Sequence, residues 1–164
     1  MHSDTQTPEA PAPALLAHIR RSLGPSLVSG TGGALAIWLL ANLTEATGQL
    51  LLIAPFGASC VLLMALPQSP LARARNVIGG HFLSALMGLI VLNLLGSGIL
   101  ACGIGVGLAI AVMQFTGTLH PPAGGNPLIV IMTGAGWSFL VTPILMGAII
   151  LLLIAYFYRR IKFY

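Results

Sequence analysis

Acidic side chains are almost missing from this sequence: Asp4, Glu9 and Glu45 are the only three in 164 residues. Two of them fall within the first nine positions, so the interior of the chain offers no carboxylate pair for acid–base chemistry or for lining a cation pathway. Cysteine is equally sparse. Cys60 and Cys102 lie inside apolar runs without metal-ligand spacing and read as small packing residues. A nucleophile motif, a Walker loop and a dinucleotide fingerprint are all missing, so the sequence predicts no enzyme, no cofactor and no metal. Charged residues of both signs make up only 6% of the chain against 57% hydrophobic, which excludes an ordinary soluble domain.

What is present is a series of apolar runs with basic punctuation. Four runs, near 27–46, 76–96, 98–117 and 136–158, approach the length of about 20 residues that crosses a hydrocarbon core as a helix. Between them lie two odd segments, 50–67 and 118–134, each apolar but broken by Pro and Gly in its first third. The breaks resemble each other at an offset of 67: Leu52 falls on Leu119, Pro55 on Pro122, Gly57 on Gly124 and Ser59 on Asn126. Each reads as an extended stretch followed by a half-helix, over about 56–66 and 122–133. The basic residues Arg20/Arg21, Arg73/Arg75 and Arg159/Arg160/Lys162 all abut apolar runs, so the net charge of +4 marks membrane orientation rather than nucleic-acid binding. They share one face only if both broken segments cross, which makes the two halves, 27–96 and 98–158, inverted three-element repeats.

The fold class expected is therefore all-α: a polytopic membrane protein with four full transmembrane helices and two broken ones in a single domain, 27–158. Residues 1–13 read as a disordered tail, 14–26 as an amphipathic interfacial segment and 159–164 as a basic, aromatic tail. No cleavable signal peptide is evident, and the first span is expected to direct insertion, with both termini cytoplasmic.

Bilayer interiors tolerate irregular backbone only where it is buried in protein or lines a polar cavity, so function is sought at the breaks. Two half-helix N-termini meeting at the midplane would favour an anion, with backbone donors at Gly57, Ala58, Gly124 and Gly125 and side-chain donors at Ser59 and Asn126. His81 and His120, the titratable groups expected deep in the membrane, are the candidate charge partners or gates. Small residues at Gly80, Ser84 and Gly88, and at Gly103, Gly107 and Ala111, recur every four positions and predict close helix packing, within the chain or in a homo-oligomer.

The run His120-Pro121-Pro122, with Ala54-Pro55-Phe56-Gly57-Ala58-Ser59 and the segment from Pro70 to His81, resembles the HPP family of integral membrane proteins over about residues 25–158. Pro127 departs from the small or aliphatic residue expected there. The resemblance implies four transmembrane helices and, from plant and cyanobacterial members, transport of nitrite. The function expected is transport of a small inorganic anion in a bacterial inner membrane. A channel for water or ammonia, and a non-transporting scaffold or sensor subunit, are the alternatives.

Overall fold

The computed structural model describes residues 12–161, with side-chain exposure from residue 14. Most of the expected tail at 1–13, and Lys162, Phe163 and Tyr164, lie outside the described residues. Within them every regular element is helical: α1 (Ala12–Thr47), α2 (Ala54–Cys60), α3 (Ala74–Leu95), α4 (Ile99–Phe115), α5 (Asn126–Thr133) and α6 (Met146–Arg160). A wider turn over Val61–Ala65 prolongs α2, and turns over Trp137–Leu140 and Val141–Leu145 lead into α6. Tight turns at Pro70–Ala72 and Pro121–Gly125 precede α3 and α5.

Three helices are long and apolar enough to cross a membrane: Ala14–Thr47, Ala74–Leu95 and Trp137–Arg160. The run expected at 98–117 forms a helix of 17 residues, about 25 Å long at 1.5 Å per residue. It is shorter because Gly98 precedes its first turn and Gly117 stops it. Gly117 takes φ +64, a left-handed conformation that suits glycine, and the Thr118 N–H reaches back to the Met113 carbonyl at 2.9 Å. The 14–26 segment is continuous with the first span, and Pro25 lies within the helix.

Cross-contacts show how the chain runs between the two ends of the bundle. Leu51 N–H donates to Thr44 Oγ1 near the C-terminal end of α1, whereas Ser29 Oγ donates to the Met64 carbonyl fifteen positions earlier on α1. The first broken segment thus advances about 22 Å along α1, from one end towards the other. The second does the same along α3, from Asn76, whose amide donates to the Leu119 carbonyl, to Gly88, which packs against Pro127 and Val130. Arg75 donates to the Thr116 carbonyl at the close of α4, and the Tyr158 hydroxyl donates to the Val28 carbonyl. These contacts gather Arg73, Arg75, Arg159 and Arg160 at one end of the bundle, with Arg20 and Arg21 further out along α1.

Glycines let the elements approach. A Cβ at Gly88 would stand 2.8 Å from Pro127 Cα, and one at Gly105 would stand 3.2 Å from Pro127 Cβ, so α3 and α4 clasp the start of α5 between them. Gly147 on α6 seats the Phe56 ring. On α4 the inward stripe is Ala101, Gly105, Ala109 and Met113. Gly103, Gly107 and Ala111 lie on its exposed face, so the packing expected of them is not made among the described residues. Apolar side chains also cover the outside of the bundle, Ile99 at 95% and Phe115 at 93% exposure among them, as a lipid solvent favours.

One buried bond ties α3 to the tight turn before α5. The Ser84 hydroxyl donates to the Ala123 carbonyl at 2.6 Å. Ser84→Ala removes this bond while the Asn126 N–H still reaches the Ala123 carbonyl, and is expected to cost about 1 kcal/mol, read as a lower midpoint of unfolding in detergent.

Candidate functional site

Polar side chains from three helices and from the connection that ends at His120 converge beside the Leu71 carbonyl, in the tight turn that precedes α3. Ser59 comes from α2, His81 from α3, His120 from the end of the 116–120 connection and Asn126 from the first position of α5. All four are fully buried. Pro55 and Pro121–Pro122 sit in first turns, where a missing N–H costs no hydrogen bond, so both broken helices can start inside the bundle.

The geometry is a continuous hydrogen-bonded chain. Ser59 Oγ lies 2.9 Å from His81 Nε2 and 2.9 Å from His120 Nε2. It also stands 3.2 Å from the Pro55 carbonyl. The Asn126 amide donates to His81 Nδ1 at 3.0 Å and to the His81 carbonyl at 3.0 Å. His120 Nδ1–H donates to the Leu71 carbonyl at 2.9 Å. The two imidazoles lie 5.0 Å apart between centroids, and the Phe56 ring meets His81 edge-on at 5.0 Å, closing the apolar side.

Ser59 and Asn126, the two residues matched at the offset of 67, therefore hold the two nitrogens of one imidazole. Each comes from a different broken segment, and the ring belongs to the unbroken helix between them. His81 stands seven residues into α3, about 10 Å from its basic end and about 21 Å from Leu95.

Of the eight residues singled out from the sequence, four are brought together: Ser59, His81, His120 and Asn126. Gly57 and Ala58 are exposed, and Gly57 borders an apolar cleft of about 500 Å³ with Ser29, Gly33 and Ile37 of α1. Gly124 and Gly125 are half-buried in the tight turn, and a Cβ at Gly125 would meet Pro55 Cγ at 3.3 Å, so the starts of the two broken helices do touch. The Leu71 carbonyl and the Phe56 ring carry no sequence signal of their own; only the paired prolines at 67 and 70 hint that a carbonyl is free there.

Asn126 Oδ1 is buried without a partner. Turning the amide over would place that oxygen against the His81 carbonyl, so the orientation is fixed and the site keeps one spare acceptor. Among the described residues no three His, Cys, Asp or Glu side chains converge as a metal site.

The transmembrane region of the HPP family matches residues 18–163. A transmembrane protein of Dictyostelium discoideum is 45% identical over 112 residues, covering 63% of this chain and 39% of that protein. Another from the same organism is 35% identical over 142 residues, covering 81% of this chain and 46% of that protein. The chain thus spans less than half the length of these curated relatives. No solved structure matches. With a family match over nearly the whole chain, and the His-Pro-Pro run supplying one of the two imidazoles at the buried cluster, this chain belongs to the HPP family of integral membrane proteins.

Proposed function

We propose that the chain carries a small inorganic anion across a membrane, with nitrite the first candidate, and that the Ser59–His81–His120–Asn126 cluster is the site through which it passes. In this reading all six segments cross, four as full spans and two as broken ones, in inverted halves with the basic end cytoplasmic. The membrane is a bacterial inner membrane, and the role is transport rather than catalysis. The exposed Gly103, Gly107 and Ala111 face of α4 leaves room for a second copy.

The observation that carries the reading is the grip of Ser59 and Asn126 on opposite nitrogens of His81, 2.9 Å and 3.0 Å away. Polar side chains at such depth are costly and concentrate along transport paths. Parting α2 from α3 and from His120 would release the Ser59 hydroxyl and the His81 Nε2–H together, beside the Asn126 amide that stays on the other edge of the ring. Those donors suit one small anion, and among the described residues no carboxylate is buried to repel it. The buried, unpartnered Asn126 Oδ1 favours a second reading, in which the passing molecule is a neutral hydrogen-bond donor such as water or ammonia.

Uptake by proteoliposomes separates the two. At alkaline pH, where leak of neutral nitrous acid is small, nitrite uptake is expected to saturate with concentration. Water or ammonia permeation without nitrite uptake would establish the second reading in its place.

A further inference from the structure

Ser59 has one hydroxyl hydrogen and two imidazoles to serve, and the surrounding bonds fix what each ring can do. Because the Asn126 amide donates to the His81 carbonyl at 3.0 Å, its second hydrogen faces His81 Nδ1, also at 3.0 Å. His81 Nδ1 therefore bears no hydrogen, and the ring is neutral with its proton on Nε2. A proton added at Nδ1 would meet the amide hydrogens. His120 is fixed at its other nitrogen, where Nδ1–H donates to the Leu71 carbonyl. Its Nε2 is the one open position.

Two arrangements satisfy these contacts without moving a heavy atom. In the first, Ser59 accepts from His81 Nε2–H and donates to an unprotonated His120 Nε2. In the second, His120 Nε2 carries a proton, Ser59 accepts from both rings, and its hydroxyl hydrogen turns to the Pro55 carbonyl, 3.2 Å away. Only one N–H bond is formed and none is broken.

We propose that the cluster is a binding site for a single proton, with His120 as the group that holds it and the Ser59 hydroxyl as the switch that accommodates either state. The surroundings of His120 carry no negative charge to fix it in one form. It faces Ser59 of α2 and Gly80 and His81 of α3. The Leu71 carbonyl completes the shell, with Arg73 exposed nearby and Arg75 engaged at the Thr116 carbonyl. Glu45, the one carboxylate among the described residues, is exposed in the last turns of α1. A proton on His120 therefore lacks a built-in counter-charge, and an arriving anion supplies it. That coupling rests on the anion reading above; the proton site itself does not.

Nitrogen-15 NMR of the full chain with labelled histidine tests the assignment, with His2 and His18 identified by single replacement. Above the transition the two rings should be opposite neutral tautomers, His81 protonated at Nε2 and His120 at Nδ1. On acidification His120 alone should gain a second proton. His120→Asn keeps an N–H for the Leu71 carbonyl but lacks Nε2, and should abolish the transition in folded protein. Two rings titrating together, or neither gaining a proton between about pH 5 and 9, would overturn the proposal. Nitrite uptake measured alongside keeps the two ideas apart: uptake with no titration sinks the proton site and spares the anion reading, and titration with no uptake does the reverse.

Discussion

Replacing His81 with alanine should both unsettle the fold and stop nitrite uptake. The ring takes a hydrogen bond from Asn126, gives one to Ser59 and meets the edge of Phe56. In a membrane each such bond contributes about 0.6–1.7 kcal/mol, because the unfolded helices also find partners, and the aromatic contact adds about 0.5–1.5 kcal/mol. With the cavity left behind, the loss should reach about 2–4 kcal/mol, measured as a lower unfolding midpoint in detergent. His81→Gln, whose amide can still reach toward Ser59, should recover part of that stability. It should recover little uptake, because it cannot hold Asn126 and Ser59 at once. Uptake restored in step with stability would assign His81 a purely structural role.

Gly80→Val tests the same site through its backbone. A Cβ at Gly80 would stand 2.6 Å from His120 Cβ and 2.9 Å from the Thr118 carbonyl oxygen. The second neighbour is main chain, so relief must come from moving the 118–120 stretch away from α3. Overpacking of this kind costs about 1–3 kcal/mol. The functional loss should exceed what that instability explains: a shift of about 1 Å takes His120 Nε2 beyond hydrogen-bonding distance of Ser59, and a tenfold fall in rate corresponds to only about 1.4 kcal/mol. Gly24→Ala is the control, since nothing lies within 4 Å of where its Cβ would be. It should leave both unfolding midpoint and uptake unchanged, and uptake intact in folded Gly80→Val would detach the His120 contact from function.

How much of this was legible beforehand depended on the kind of signal. The breaks at Pro55 and at Pro121–Pro122 announced themselves, because proline and glycine in an apolar run have few structural uses. The basic residues mark the ends of apolar runs in the sequence, and Arg73, Arg75, Arg159 and Arg160 gather at one end of the bundle. The convergence of Ser59, His81, His120 and Asn126 was named residue by residue but not as a bonded chain. No periodicity reveals that a serine and an asparagine 67 positions apart will hold the same ring. The emphasis on glycine backbone donors had a physical basis in helix termini. Yet Gly57 and Ala58 turn to the exposed side of α2 while Ser59 turns inward, a difference of one or two residues on a helix that composition cannot resolve. On α4 the four-residue spacing fitted two stripes equally well, Gly103–Gly107–Ala111 and Ala101–Gly105–Ala109, and only the position of Pro127 and Ile131 selects the second.

The central claim is that the cluster is the transport site, and Asn126→Ala tests it most directly. The variant removes the amide that joins α5 to His81 while leaving both imidazoles and Ser59 in place. Initial nitrite uptake should be compared in proteoliposomes holding equal amounts of folded wild type and variant. The account predicts saturable uptake for the wild type and a rate at least about tenfold lower for Asn126→Ala. Equal rates in the two folded proteins would contradict it and place the path elsewhere in the bundle.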